Sequence, residues 1–144
     1  MNFAYFDTSA AVKRYILEPG SLEIRRWMRR YDFLTSAITL LELLSALGRR
    51  RRGGEFSEKN LVATLRRIGS DRVRWEMVET STRVLSRAET VIQQTPARTL
   101  DAIHIASALV FQAASGLRIP FITADGRQRE AAQQMGLEVT WIEG

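Results

Sequence analysis

The sequence predicts an α/β fold with a largely parallel sheet of five strands, and three observations carry that expectation. Short apolar runs alternate with longer amphipathic stretches, the pattern of strands joined by crossover helices. Turn and stop residues fall between them at Pro19-Gly20, Gly53-Gly54 and Pro96. A length of 144 residues with 45% hydrophobic content suits one domain around one core, so residues 1–144 are read as a single domain.

Taken in order, Phe3 to Phe6 is the first strand, and Asp7 and Thr8 end it where a helix over about Ser9 to Leu17 begins. Pro19 and Gly20 separate that helix from an arginine-rich one over Ser21 to Arg30. A second strand at Phe33 to Ser36 leads into a leucine-rich helix over Ala37 to Arg50, which Gly53 and Gly54 stop. Another helix is expected over Ser57 to Ile68, then a strand at Arg74 to Val78 and a helix over Thr80 to Gln93. Beyond Pro96, a helix runs from Leu100 to Ala114, with Thr99 as its candidate cap. A strand at Ile119 to Thr123, a helix over Arg127 to Met135 and a strand at Glu138 to Ile142 complete the chain. No internal repeat or low-complexity linker interrupts this order.

Composition narrows the chemistry. With no cysteine, the chain has no disulfides and no thiolate sites, and its single histidine cannot build a multi-imidazole zinc site. Any metal would be held by oxygen. No run approaches the roughly 18 apolar residues of a membrane span, and "MNFAYFD" is no leader, so a cytoplasmic protein without membrane association is expected. The formal charge is +5, and 19 of the 21 basic residues are arginine. Arginine pairs bidentately with phosphate and stacks on bases, which makes nucleic acid a candidate partner; arginine use also follows genomic base composition.

Four carboxylates stand at related places. Asp7 lies where the first strand gives way to a helix, and in open parallel sheets ligands bind at the carboxyl ends of strands. Taken alone, Asp7 or Thr8 is read as the cap of that helix. Glu42 sits among leucines in "LLELL" near the start of the helix after the second strand, so it needs solvent, a basic partner or a cation. Asp101 is in a first helical turn, where negative charge is favourable, and Asp125 is in the Asp-Gly turn after the fourth strand. Each has a local structural explanation. Together, all four can reach one edge of one sheet, where they would repel each other until a divalent cation neutralised them. Hard oxygen donors select Mg²⁺ or Mn²⁺, and such a site beside an arginine-rich surface points to phosphodiester hydrolysis by metal-activated water.

"YFDTSA", the acid in "LLELL", "RTLDAIHIASAL" and "FITADGRQREAAQQMGLEV", in that order, resemble a PIN-domain ribonuclease, and more narrowly the VapC toxins of type II toxin-antitoxin systems. The resemblance covers essentially the whole chain. It implies a three-layer α/β/α fold with a five-stranded parallel sheet and an acidic pocket at the strand ends. It also implies Asp7, Glu42, Asp101 and Asp125 as metal-binding and catalytic carboxylates, with Thr8, Ser9 and Thr123 as their hydrogen-bonding neighbours. An Mg²⁺- or Mn²⁺-dependent endoribonuclease with an RNA substrate, a cognate VapB-type antitoxin and a homodimeric state would follow. Gly126 stands where some relatives carry another acid. A non-toxin PIN nuclease, or a PIN module that binds RNA or a partner protein without cutting, is the alternative.

His104 follows Asp101 by three residues and is read as packing against or orienting it, rather than as catalytic. Arg49 to Arg52 would track an RNA backbone or complement a helix C-terminus, and Arg25, Arg26, Arg29 and Arg30 would form an interface or a solvated face. Trp75 and Trp141 are read as core. A receiver-like switch would need an acid beside Asp7 and a late lysine; Thr8 and the lack of lysine after Lys59 exclude it. A haloacid-type phosphatase would need an Asp at Ser9, and no G-x-G-x-x-G or G-x-x-x-x-G-K sequence supports nucleotide binding.

Overall fold

A computed structural model describes residues 2–144. In chain order its elements are β1 (Phe3–Phe6), α1 (Thr8–Tyr15), α2 (Ser21–Arg30), β2 (Asp32–Ser36), α3 (Thr39–Arg52) and α4 (Glu58–Asp71). A 3-10 turn (Arg72–Arg74), β3 (Glu76–Val78), α5 (Thr82–Gln94), α6 (Thr99–Ser115), β4 (Pro120–Thr123), α7 (Gly126–Gln134) and β5 (Glu138–Trp141) follow. The five strands form one sheet in the order β3-β2-β1-β4-β5, and every pairing is parallel.

This order has a direct consequence for function. The chain builds outward from β1 through β2 to β3, then returns to the other side of β1 to place β4 and β5. Connections on either side of the β1/β4 junction therefore leave in opposite directions, which opens a crevice at the carboxyl ends of those two strands. Asp7 follows β1 and Asp125 follows β4.

β1 is buried along its whole length, as expected of a central parallel strand covered on both faces. Its alternating side chains divide the core. Phe3 and Tyr5 join Leu34, Phe121 and the inner faces of α5, α6 and α7, including Val84, Ile105 and Ala131. Ala4 and Phe6 join Ile122, Ala10 of α1 and Ile24 of α2 on the other face. Leu43 and Leu47 of α3 and Ile68 of α4 extend that second layer. The molecule is thus three layers, helices on both sides of the sheet. α6 is buried almost all round from Ala102 to Ala108, which is why its sequence is apolar on every face.

Element boundaries differ from the sequence expectation in physically readable ways. The first helix stops at Tyr15 rather than Leu17: Ile16 is extended at φ −118°, and Leu17 is 79% exposed. The third strand begins at Glu76 rather than Arg74, because residues 72–74 wind into a turn that seats Trp75 against Phe33, with ring centroids 4.9 Å apart. α6 starts after Arg98, not Thr99, and Arg98 makes no side-chain cap. Gly20 adopts φ +92° between α1 and α2, and a Cβ there would fall 2.7 Å from Ile142 Cγ2. Both the left-handed turn and the close approach require glycine.

Candidate active site

Asp7 is only 2% exposed, and both oxygens of its carboxylate accept hydrogen bonds. As the N-cap of α1, Oδ1 accepts from the Ala10 backbone N–H at 3.0 Å and from the Ser9 hydroxyl at 2.7 Å. Oδ2 accepts from the Thr123 hydroxyl at 2.5 Å. The capping explanation therefore holds, and it coexists with placement at the sheet crevice. Burial pushes the Asp7 carboxyl above its ordinary value, although the charge of His104 and the bonds from Thr123, Ser9 and Ala10 work in the other direction.

Thr123 links Asp7 to the β4 loop. Its Oγ1 accepts from the Asp125 backbone N–H at 3.1 Å, while the Ala124 N–H donates to Ser9 Oγ at 2.9 Å. Asp125 is exposed and caps α7, its Oδ1 accepting from the N–H groups of Arg127 at 2.9 Å and Gln128 at 3.2 Å. Across the crevice, half-buried Asp101 occupies the first turn of α6. Burial raises its carboxyl first and the neighbouring charge of Asp125 adds to it, against an Arg98 backbone bond and the charges of His104 and Arg127. Asp101 and Asp125 thus feel each other as like charges.

Glu42 comes from the first turn of α3 and connects to the others through His104. Glu42 Oε1 accepts from the Thr8 hydroxyl at 2.6 Å and lies 2.7 Å from His104 Nε2. Burial disfavours its charge, but the His104 and Thr8 bonds win and hold the carboxyl below its ordinary range. His104 does not bond Asp101, the partner its spacing suggested; its hydrogen bonds go to Glu42, to Thr8 at 3.2 Å and to Tyr5. The i, i+3 spacing placed His104 near Asp101, but the ring turns toward β1 and α3. Sequence reasoning missed its role in the site, and its only signal was a lone imidazole inside an apolar helix. Tyr5 Oη lies 2.7 Å from His104 Nδ1, and burial, with the charges of Asp7 and Glu42, pushes that phenol well above its ordinary value.

Every donor here is oxygen apart from the histidine, so the set matches a hard divalent cation rather than a soft one. Asp7 Oδ2 takes one protein bond and Glu42 Oε2 takes none among the described residues, which leaves lone pairs for a cation. As the side chains stand, no three acidic or histidine groups among the described residues are arranged to hold one ion in common.

The remaining sequence candidates lie elsewhere. In the Arg49–Arg52 run, Arg50 pairs with Glu18 at 3.0 Å and Glu55 at 3.1 Å, Arg51 pairs with Glu58, and Arg49 bonds Ser45 at 2.8 Å. This favours the helix-end explanation over RNA tracking. Trp75 packs beside the α3–α4 core, whereas Trp141 is half-buried with the Arg129 guanidinium 5.0 Å from its ring centroid. Arg25 and Arg29 line a cavity of about 320 Å³ with Tyr15 and Trp75, near the start of β2 and away from the acids. No helix among the described residues is long and apolar enough to cross a membrane.

A parallel α/β sheet whose order reverses at a carboxylate-lined crevice defines a class of domain with oxygen-donor chemistry at the strand ends. Within that class the PIN domain matches residues 4–134, and the chain belongs to the PIN-domain family. It is 31% identical over 136 residues to "Ribonuclease VapC46" of Mycobacterium tuberculosis (strain ATCC 25618 / H37Rv), covering 94% of each chain. Two solved structures share the fold. A toxin-antitoxin complex from Klebsiella pneumoniae aligns with a TM-score of 0.66 at 16% identity, over 95% of both chains. FitAcB from Neisseria gonorrhoeae aligns with a TM-score of 0.73 at 15% identity, over 95% of this chain and 96% of the other.

Proposed function

We propose that the protein is a VapC-type endoribonuclease toxin, a single PIN domain that hydrolyses RNA phosphodiester bonds with Mg²⁺ or Mn²⁺ and is silenced by a cognate antitoxin. The observation that carries this reading is Asp7: a buried carboxylate at the β1/β4 crevice, raised by burial despite three hydrogen bonds. The named relative "Ribonuclease VapC46" and the toxin-antitoxin neighbour support the assignment to this chain.

Asp7, Glu42, Asp101 and Asp125 would hold the ion. When bound, it would supply Lewis acidity toward a phosphoryl oxygen and an attacking water. Ser9 and Thr123 fix both oxygens of Asp7, so its free lone pair has one direction. Thr8 and His104 hold one oxygen of Glu42, Oε1, and leave Oε2 open. Asp125, bonded through its backbone N–H to Thr123, is tied to the same network. Arg98 and Arg127, exposed at the openings of α6 and α7, supply positive charge for phosphates flanking the cut. Specificity would come from the surrounding surface.

RNA cleavage with Mg²⁺ or Mn²⁺ against EDTA, using wild type and Asp101→Asn, tests the reading. We expect cleavage only by wild type with metal; equal cleavage in EDTA, or by the variant, overturns it. The open arrangement of the acids favours a second reading, a PIN module that binds RNA without cutting. Wild type that binds RNA but leaves it intact with either metal would establish that instead.

For partners, we propose an antitoxin seated over the early helices and a homodimer. The arginines of α2 and the exposed Leu17 and Leu22 support an acidic, apolar antitoxin segment there, and Leu41 and Leu44 of α3 with Val62 and Leu65 of α4 form an exposed apolar face for a second copy. Co-purification with the product of a neighbouring short reading frame, and solution mass, check these two expectations. We place the protein in the cytoplasm, where RNA and antitoxin would meet it.

A further inference from the structure

The residue that links the interior of the fold to the acidic crevice is His104. It is 3% exposed and lies within the apolar run of α6. A buried imidazole needs partners for both nitrogens. Here those partners lie in two different layers: Tyr5 on β1 at Nδ1, and Glu42 on α3 at Nε2.

The hydrogen atoms in this chain of bonds can be ordered from chemistry alone. Ionised Glu42 can only accept, so the bond at Nε2 requires the proton to sit on Nε2. With the ring neutral, Nδ1 is then bare and accepts from the Tyr5 O–H. Thr8 donates its one hydroxyl proton to Glu42 Oε1, so its contact with Nε2–H is as an acceptor. Every donor finds an acceptor with no conflict, and two of them, Thr8 O–H and His104 Nε2–H, converge on the same carboxylate oxygen.

The anchor of the chain is rigid. Tyr5 is fully buried, stacked on Phe121 with ring centroids 5.1 Å apart and planes 4° from parallel, and edge-on to His104 at 5.9 Å. Tyr5 and Phe121 are paired in register across β1 and β4, the two strands that flank the crevice. Movement of the Tyr5 hydroxyl would require movement of the sheet. A histidine kept only to satisfy a buried tyrosine would need nothing at Nε2 but a local carbonyl. This one reaches outward, to a carboxylate at the site.

We propose that His104 is a positioning residue, held as the Nε2–H tautomer between Glu42 and Tyr5, that clamps Glu42 Oε1 and leaves Oε2 free for the cation. The inference rests on the nuclease reading above, because it assigns Glu42 to the ion.

The single histidine makes the test direct, since one residue supplies every imidazole-nitrogen NMR signal in the chain. Wild type is expected to show the Nε2–H tautomer in metal-free solution, and an Nδ1–H ring overturns the proposal. Mn²⁺ binding is then measured for wild type, His104→Ala, His104→Gln and Tyr5→Phe, alongside their melting curves. Removing the clamp should weaken Mn²⁺ by about 10- to 100-fold, as is typical for groups that orient a metal ligand. His104→Gln, whose side-chain amide can donate toward Glu42, should recover most of that loss. Tyr5→Phe keeps the ring stack and removes the hydrogen-bond partner of Nδ1, so it should fall between wild type and His104→Ala. These two variants serve if His104→Ala does not fold. Folded variants that bind Mn²⁺ like wild type overturn the positioning role alone. A wild type that takes up no Mn²⁺ overturns the nuclease reading and the positioning with it.

Discussion

Asp7 lets function and stability be pulled in opposite directions. Replacing it with asparagine keeps the side-chain shape and the Oδ1 acceptor that caps α1 and removes a buried charge; Nδ2 then donates to Thr123 Oγ1, whose own hydroxyl proton can turn to Ser9 Oγ 3.3 Å away. Because burial raises the folded carboxyl above its ordinary 3.8, the folded state holds a proton more tightly than the unfolded chain. Stability linked to Asp7 is therefore present below that ordinary value and lost as pH rises through the raised one. In metal-free buffer near pH 7, Asp7→Asn should melt higher than wild type, and the gap should open across that window and stay level above it.

Asp7→Ala provides the contrast. It loses the cap, at about 0.5–2 kcal/mol, and strands the Thr123 hydroxyl, at about 1–3 kcal/mol. Ser9 is spared because its Oγ lies 3.3 Å from Thr123 and can donate there instead. A deficit of about 1.5–5 kcal/mol relative to Asp7→Asn is expected, at roughly 3–4 °C of melting temperature per kcal/mol for a chain of this size. Both variants should be inactive in Mg²⁺-dependent RNA cleavage. Melting curves in EDTA between about pH 4 and pH 8 decide the matter. If Asp7→Asn melts below wild type at neutral pH, the donors outweigh burial and the reasoning fails.

Asp125→Ala, which removes the cap of α7, should cost about 0.5–2 kcal/mol by denaturant titration and impair cleavage; unchanged stability would show that the α7 terminus is satisfied otherwise. Leu43→Ala, at a fully buried position beside Glu42, should destabilise by about 2–5 kcal/mol, with residual cleavage tracking the folded fraction. RNA affinity of the inactive Asp101→Asn protein should fall steeply with salt as phosphate contacts release counterions, and a flat response would remove the arginine surface from the RNA interface.

The order of elements was legible because it depends on local periodicity. Phe3 to Phe6 reads as a strand buried on both faces, and it is one. Boundaries such as the start of the third strand were less so: Trp75 leaves the strand because Phe33, far away in sequence, offers its ring a seat. The cap at Asp7 was readable as local chemistry, whereas Asp125, read as part of an Asp-Gly turn, caps α7. Their hydrogen-bonding neighbourhood was only partly readable. Ser9 lies two residues from Asp7, but Thr123 is 116 residues away.

By itself, then, the sequence determined the α/β class, the succession of strands and helices, the exclusion of thiolate and multi-imidazole metal sites and the resemblance to PIN-domain ribonucleases. Those follow from residue types and short-range spacing. The tertiary structure decided that β1 and β4 are neighbours, and with that the crevice between Asp7 and Asp125. It also decided that His104 serves Glu42, 62 residues distant, rather than Asp101 one turn away. Helical spacing fixes which face a side chain leaves from, but which group it meets depends on the layers packed around it, and only the assembled sheet settles that.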